Sequence, residues 1–177
     1  MDQKQFLRKT ALTLRKKLVS QNKLSEISDC IAEKILNSTE FKNAKNIALY
    51  YPLKDEVDIT KIIKNQNKNF YFPRCREDNL EFVKYTSFDD FKSSKFNLKE
   101  PIGESVDVDI IDLIYVPALV ASKNCCRIGW GKGYYDRFFN KFKPRAKKII
   151  IAPKLLVLDE LIPEEHDVQC DLLICED

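Results

Sequence analysis

The most informative chemical feature of the sequence is a glycine-rich segment at residues 127–137, RIGWGKGYYDR. It holds three of the four glycines of the chain within five residues, and charged side chains surround them. Glycine allows positive φ angles and close approach of a ligand to the backbone, and amide groups ahead of a helix bind anions. The segment therefore predicts a phosphate-binding loop.

This loop differs from the well-known nucleotide motifs. A G-x-G-x-x-G turn would need glycine at Tyr134 or Asp136, and a P-loop would need Ser or Thr after Lys132. A merely flexible connection would not need so many charges around the glycines. Lys132 and Arg127 can neutralise a polyphosphate at short range, which favours a phosphate ligand.

Two aspartates are candidates for a metal site. Mg²⁺ prefers carboxylate oxygens together with phosphates, so Asp136 and Asp167 are predicted magnesium ligands. Asp136 has a second interpretation, because a carboxylate in the first turn of a helix is stabilised by the helix dipole. The sequence leaves both interpretations open. His166, the only histidine, precedes Asp167 in a loop and is expected to make local hydrogen bonds without a catalytic role.

The surrounding pattern predicts an α/β domain over residues 1–177. Helices are expected at 2–19, from Ser25 or its rival N-cap Ser28 to Leu36, near 58–66 and at 134–142. A polar stretch from Asp89 to Glu104 is predicted to be a surface excursion. Apolar strand patterns occur at 46–51, 69–74, 80–85, 111–116, 148–152 and 171–175. Several of these strand segments are apolar at consecutive positions, which favours a three-layer αβα sandwich around a mostly parallel or mixed sheet.

Composition excludes several classes of protein. Hydrophobic residues make up 44% and charged residues 32%, as in a globular chain, and the net charge of +3 gives no reason to expect nucleic acid. The charged start and the lack of a long apolar run predict a cytoplasmic protein without a membrane partner. The six cysteines lack the spacing of zinc sites and are expected to be reduced and mostly buried.

Four segments in order resemble the 5-formyltetrahydrofolate cyclo-ligase family, also called methenyltetrahydrofolate synthetase. They are Lys4-x-x-x-Arg8, YYPLKDEVD at 50–58, the glycine-rich segment and IPEEHD at 162–167. The resemblance covers nearly the whole chain. It implies an α/β sandwich that uses Mg²⁺ and ATP to convert 5-formyltetrahydrofolate, free or polyglutamated, into 5,10-methenyltetrahydrofolate, with ADP and phosphate released. We expect a monomer.

The same resemblance implies site residues position by position. The implied ATP contacts are Lys4, Gln5, Phe6, Leu7, Arg8, Arg127, Ile128, Gly129, Trp130, Gly131, Lys132, Gly133, Tyr134 and Tyr135. The implied folate contacts are Tyr51, Glu56, Trp130, Gly131, Lys132, Gly133 and Tyr134. The implied catalytic residues are Lys4, Arg127 and Lys132, and the implied magnesium ligands are Asp136 and Asp167.

The chain departs from the family pattern at several positions. Ala121, Ser122 and Cys125 replace the usual Phe, Asp and Gly ahead of the arginine, and Ile128 and Trp130 replace the usual Leu and Tyr. An expected glutamine is absent, with Val157 near its place, and a frequent late threonine is Cys175. These changes affect the loop conformation and the folate contacts but leave the phosphate-binding residues in place.

Helical spacing supports part of this assignment. Lys4, Arg8 and Arg15 fall along one edge of the apolar face of the first helix, where long basic side chains can direct their charges into a cleft. Glu56 follows a strand end and could accept hydrogen bonds from a pterin. Apart from the family resemblance, an ordinary acidic residue of a loop is the preferred interpretation. Two other functions stay open: an isomerase or transferase of phosphorylated substrates, and a nucleotide- or RNA-binding module.

Overall fold

A computed structural model of the protein describes residues 2–64, 67–94 and 98–177. The α-helices in these ranges are α1 (Gln3–Ser20), α2 (Lys23–Asn37), α3 (Thr39–Asn43) and α4 (Tyr134–Phe142). Asp2 caps α1 by accepting a hydrogen bond from the backbone N–H of Lys4. None of the described helices is long and apolar enough to cross a bilayer.

The strands of the described ranges form three sheets. They are β1 (Asn46–Ala48), β2 (Asn69–Arg76), β3 (Asn79–Lys84), β4 (Phe91–Ser93), β5 (Lys99–Pro101), β6 (Leu113–Pro117), β7 (Val120–Ser122), β8 (Arg127–Ile128), β9 (Lys147–Ile151), β10 (Val157–Leu158) and β11 (Leu172–Ile174). The central sheet has the order β11-β9-β6-β1-β2-β3. Its strands pair in parallel, except that β3 is antiparallel to β2.

Apolar side chains cover both faces of the central sheet. On one face Ile47 and Tyr115 pack with Ile31 and Ile35 of α2. On the other face Ile114 packs in a cluster with residues of α4. Consecutive buried residues such as 113–116 in β6 are what a sheet covered on both faces requires. The predicted three-layer αβα sandwich with a mostly parallel sheet is confirmed.

A second, three-stranded sheet supports the glycine-rich segment. It has the order β10-β7-β8, and Ala11 of α1 packs against its Val120 and Ile128. The sequence analysis did not predict these strands, because segments of two or three residues are too short to show a period. This sheet places α1 next to the end of β8, where the glycines begin.

The polar stretch from Asp89 to Glu104 is mostly exposed where the structure describes it, so the predicted surface excursion is confirmed there, and residues 95–97 lie outside the described ranges. It also contains the hairpin of β4 and β5, which was not predicted, and its buried Glu100 accepts a hydrogen bond from the backbone N–H of Cys75 at 3.1 Å. The predicted start of α2 was wrong. Helix α2 begins at Lys23, with Asn22 in the left-handed conformation at φ 55°, and not at Ser25 or Ser28.

Ser28 is an interior residue of α2 instead. Its hydroxyl donates to the carbonyl oxygen of Leu24 at 2.7 Å and accepts from the backbone N–H of Asp58 at 3.0 Å. It therefore connects α2 to the segment that follows β1. The helix predicted near 58–66 is a short 3-10 turn over Thr60–Lys64, and residues 65 and 66 lie outside the described ranges.

The six cysteines are free thiols, as predicted. Only Cys126 and Cys170 are buried, so the prediction that most of them are buried was wrong. The other four are partly covered: Cys30 lies within α2, Cys75 near the end of β2, Cys125 in a turn and Cys175 just after β11. Burial raises the pKa of the Cys170 thiol to about 11, although nearby Arg127 acts in the opposite direction.

Candidate active site

The glycine-rich segment forms the predicted loop between β8 and α4. Gly131 has φ 91° and Gly133 has φ 66°, in the region that glycine adopts without strain. A Cβ atom on Gly133 would lie 2.9 Å from Nη1 of Arg137, so that side chain would have to shift, and the positive φ would strain any other residue. Helix α4 then begins at Tyr134, which aligns its N-terminus with the loop.

Helix α1 lies directly against this loop. Nε of Arg8 donates to the carbonyl oxygen of Gly129 at 3.0 Å, and the Arg8 guanidinium lies 3.5 Å from where a Gly131 Cβ would be. The predicted basic edge of α1 is confirmed, because Lys4 and Arg8 are half-buried and Arg15 is buried. The lysines at positions 9, 16 and 17 are exposed.

Lys4 is held by two carboxylates of the loop before β11. Its Nζ lies 2.7 Å from Oδ2 of Asp167 and 2.9 Å from Oε2 of Glu164. Burial alone would lower the pKa of Lys4, but these two partners outweigh it and hold that pKa above its usual value. Burial would likewise raise the pKa of Asp167, but the hydrogen bond from Lys4 helps to hold it below its usual value. The pair is therefore ionised at neutral pH.

Arg127 and Asp136 form a second ion pair beneath the loop. Nη2 of Arg127 lies 2.8 Å from Oδ1 of Asp136, which also accepts from the backbone N–H of Val168 at 3.1 Å. The side chain of Arg127 is only 4% exposed, so its charge needs this partner. Because Arg127 lies in β8 and Asp136 in α4, the ion pair links the two elements that flank the loop. The phosphate and metal roles assigned to these two residues stay predictions.

One group of side chains in the described ranges could hold a metal ion. It consists of Glu164, His166 and Asp167, whose ligand atoms lie within 4.8 Å of one another. Asp167 is a predicted magnesium ligand, whereas Glu164 was not singled out from the sequence. Asp136 is not a member of this group. His166 is exposed and lies 3.4 Å from Glu164, in keeping with the local contacts predicted for it.

Two of the predicted folate contacts, Tyr51 and Glu56, line the same cavity of about 720 Å³, whereas the five in the glycine-rich segment are not among its described lining residues. The cavity lies between the start of α2 and the segment after β1, with Leu53 and Phe88 also in its wall. The ring of Tyr51 packs edge-on against Phe88, with centroids 6.1 Å apart. The lining combines the rings of Tyr51 and Phe88 with the carboxylates of Asp29, Glu56 and Asp58, which suits a flat, hydrogen-bonding ring system.

Glu56 connects this cavity to the glycine-rich loop. Its Oε1 accepts from Nε1 of Trp130 at 3.0 Å, and its Oε2 accepts from the backbone N–H of Leu53 at 3.0 Å. Nη1 of Arg15 lies 3.7 Å from Oε1. Arg15 also donates from Nη2 to the carbonyl oxygen of Ala118 at 2.5 Å. Arg15 was correctly predicted to lie on the same edge of α1 as Lys4 and Arg8, but its pairing with Glu56 was not predicted.

The remaining predicted ATP contacts are spread around the loop. Tyr134 donates from its hydroxyl to the carbonyl oxygen of Glu77 at 3.3 Å, and Tyr135 lies under Arg127, 5.7 Å from ring centroid to Cζ. Gln5 and Phe6 are exposed on α1, whereas Leu7 packs against the small sheet. These contacts place the two predicted ATP segments side by side, as an ATP site would require.

Several of the departures from the family pattern lie in or next to the small sheet. Ala121 lies in β7 and Val157 in β10, and the two are paired in parallel. Cys125, in the turn between β7 and β8, has φ 58°, a conformation that favours glycine. The hydroxyl of buried Ser122 donates to Oδ1 of Asn124 at 2.5 Å and braces the same turn.

The chain is similar to known proteins over most of its length. The family model described as the 5-formyltetrahydrofolate cyclo-ligase family matches residues 1–176. The 5-formyltetrahydrofolate cyclo-ligase of Mycoplasma genitalium is 32% identical over 178 residues, covering 99% of both chains. The mouse 5-formyltetrahydrofolate cyclo-ligase is 26% identical over 164 residues, covering 83% of this chain and 81% of its own.

Two solved structures are similar along the whole chain. The 5,10-methenyltetrahydrofolate synthetase of Aquifex aeolicus has a TM-score of 0.85 at 29% identity, covering 97% of this chain and 88% of that one. The synthetase of Mycoplasma pneumoniae has a TM-score of 0.79 at 27% identity, covering 99% and 100%. With the family model matched from residue 1 to residue 176, this chain belongs to the 5-formyltetrahydrofolate cyclo-ligase family.

Proposed function

We propose that this protein converts 5-formyltetrahydrofolate into 5,10-methenyltetrahydrofolate, with ATP cleaved to ADP and phosphate. The proposal combines the family membership with one observation. The glycine-rich loop and the cavity of Tyr51 and Glu56 are adjacent, and the 3.0 Å hydrogen bond between Trp130 and Glu56 joins them. A reaction between a phosphate donor and a folate needs its two sites in contact.

The reaction chemistry explains why both sites are needed. A formamide oxygen is a poor leaving group, so it first attacks the γ-phosphorus of ATP, and ADP leaves with the bridging oxygen. Nitrogen 10 of the folate then adds to the activated carbon and loses its proton. The carbon–oxygen bond breaks, phosphate carries away the former formyl oxygen, and the methenyl bridge remains.

The chain supplies positioning and positive charge for these steps. Lys132 belongs to the glycine-rich loop, Arg8 contacts this loop from α1, and Lys4 lies at the start of α1. Each of these side chains can neutralise charge that builds up on the transferred phosphoryl group. In this proposal Glu56 accepts hydrogen bonds from the pterin, and Tyr51 packs against its ring. No side-chain nucleophile is required.

Magnesium is part of the proposal. Asp167 and Glu164 offer hard oxygen ligands of the kind that Mg²⁺ prefers, and the ion, when bound, would neutralise phosphate charge. Asp136 is the other proposed ligand, although it does not belong to this cluster. Its carboxylate is engaged by Arg127 in the structure, so magnesium would share this side chain with the buried arginine.

The Asp136→Asn variant tests both roles of this carboxylate. Asn keeps an oxygen acceptor but removes the charge that Arg127 faces, so we expect the free energy of unfolding to fall by about 1 kcal/mol. If Asp136 also holds magnesium, the Mg²⁺ concentration for half-maximal activity should rise at least severalfold. Denaturant unfolding and a magnesium titration of the folded variant measure the two effects separately. An unchanged magnesium titration would leave Asp136 only the partnership with Arg127.

The proposed activity is tested by following the absorbance of 5,10-methenyltetrahydrofolate. Product should form from 5-formyltetrahydrofolate only when ATP and magnesium are both present. Product formation without ATP, or none under any condition, would contradict the proposal. Tight RNA binding that weakens steeply with salt would instead favour a nucleic-acid module.

The proposal also covers the setting of the enzyme. We propose a monomer that works in the cytoplasm on free or polyglutamated folate, without nucleic acid or a membrane as partner. Its six free thiols suit a reducing compartment. Light scattering of the purified protein should give the mass of one chain.

A further inference from the structure

Glu56 is almost completely enclosed in the structure. Only 6% of its surface is exposed, although it contributes to the wall of the cavity. Its Oε1 faces Trp130 at 3.0 Å and Arg15 at 3.7 Å. Trp130 makes a hydrogen bond to Oε1, whereas Nη1 of Arg15 lies beyond hydrogen-bond distance. Because so little of Glu56 is exposed, a substrate N–H can reach Oε1 only when one of these neighbours moves.

The two neighbours differ in their freedom to move. Arg15 is 2% exposed and anchored to the carbonyl oxygen of Ala118, so it stays in place. Trp130 is 45% exposed and stands between Gly129 and Gly131, and Gly131 has a positive φ of 91°. Glycine on both sides leaves the backbone of Trp130 free to change conformation. Trp130 is therefore the partner that leaves.

The hydrogen bond between Glu56 and Trp130 lies between two parts of the site, so breaking it affects both. Glu56 lines the cavity, whereas Trp130 is absent from the described lining and belongs to the glycine-rich loop. The Glu56–Trp130 hydrogen bond thus lies between the predicted folate cavity and the predicted phosphate loop. For the formyl oxygen to reach the phosphate, the two spaces must become continuous.

We infer that the Trp130 indole N–H occupies the position of a substrate donor. When folate binds, a pterin N–H displaces this indole N–H from Oε1 of Glu56. Arg15 stays beside the carboxylate during the exchange, with its Nη1 3.7 Å from Oε1. Release of Trp130 then moves the loop that holds ATP. Folate binding and the conformation of the phosphate loop are coupled in this way. This inference rests on the proposed function, because it takes a folate as the ligand.

The single tryptophan of the chain makes the exchange visible. In ¹⁵N-labelled full-length protein its indole N–H gives one nuclear magnetic resonance signal. We expect 5-formyltetrahydrofolate to shift this signal and to speed exchange of its proton with water, since the hydrogen bond to Glu56 is lost. A non-hydrolysable ATP analogue with magnesium, added alone, should leave the proton protected. A signal that does not change while calorimetry detects folate binding would overturn the inference.

A Trp130→Phe variant provides the second measurement. It keeps an aromatic ring but removes the competing donor, so folate affinity in the absence of ATP should rise about tenfold. Phe142→Leu, at an equally exposed aromatic residue of α4, is the matched control and should bind folate like the wild type. Unchanged or weaker folate binding by Trp130→Phe would contradict the displacement.

Two further outcomes separate this inference from the proposed function. If the wild-type protein does not bind 5-formyltetrahydrofolate at all, the proposed function fails and the inference fails with it. If the wild type binds folate and Glu56→Gln binds it equally well, Glu56 is not the acceptor. The inference is then wrong, while the proposed activity stands.

Discussion

Replacing Arg15 with methionine should lower the free energy of unfolding by about 3 kcal/mol, because removal of one partner leaves a buried charge uncompensated. Glu56 is 6% exposed, and Arg15 is the cationic side chain that lies 3.7 Å from its carboxylate. Methionine keeps most of the volume of the arginine stem, so the loss measures charge and hydrogen bonding more than packing. Denaturant unfolding of the variant gives the value.

Two comparisons make this result specific to the Arg15–Glu56 pair. Lys16→Met changes an exposed residue of the same helix and should shift stability by no more than about 0.5 kcal/mol. Adding Glu56→Gln to Arg15→Met should recover part of the loss, since the second change removes the uncompensated carboxylate. An Arg15→Met protein that is as stable as the wild type would contradict the pairing.

Replacing Lys132 with alanine should reduce kcat/KM for ATP by a factor corresponding to about 1.5–3 kcal/mol, the usual contribution of a charged hydrogen bond. Lys132 lies between Gly131 and Gly133, which both have positive φ, at the point where the loop approaches the N-terminus of α4. Steady-state kinetics at saturating folate measure the change.

The specificity of the Lys132 effect is judged against a lysine outside the loop. Lys9→Ala removes the same charge from the exposed side of α1 and should leave the ATP kinetics close to wild type. Folate binding without ATP should change less than ATP use in Lys132→Ala. Equal losses in the two lysine variants would mean that only overall charge matters and would remove Lys132 from the phosphate site.

The central sheet could be predicted from sequence because its strands carry a strong signal. Residues 113–116 and 149–151 are apolar at consecutive positions, as strands covered on both faces must be. Strands β7, β8 and β10 carry no such signal, since two or three residues cannot display a period. The start of α2 was misplaced because Asn22 begins the helix from a left-handed conformation, without a side-chain cap hydrogen bond.

The candidate site was predictable to the extent that it depends on local spacing. The edge of α1 that carries Lys4, Arg8 and Arg15 follows from helical geometry alone. The partners of these residues do not, because the chain brings them together over long separations. Arg15 meets Glu56 only once α1 packs beside the segment after β1, and Lys4 meets Asp167 from the other end of the sequence.

The most direct test of the proposed reaction is the fate of the formyl oxygen. 5-Formyltetrahydrofolate labelled with ¹⁸O in the formyl group is converted with magnesium and unlabelled ATP, and the inorganic phosphate is analysed by mass spectrometry. If the formyl oxygen attacks the γ-phosphorus, each phosphate released should carry one labelled oxygen, and ADP should carry none. Phosphate without label would contradict the account, because ATP would then be cleaved without activating the folate.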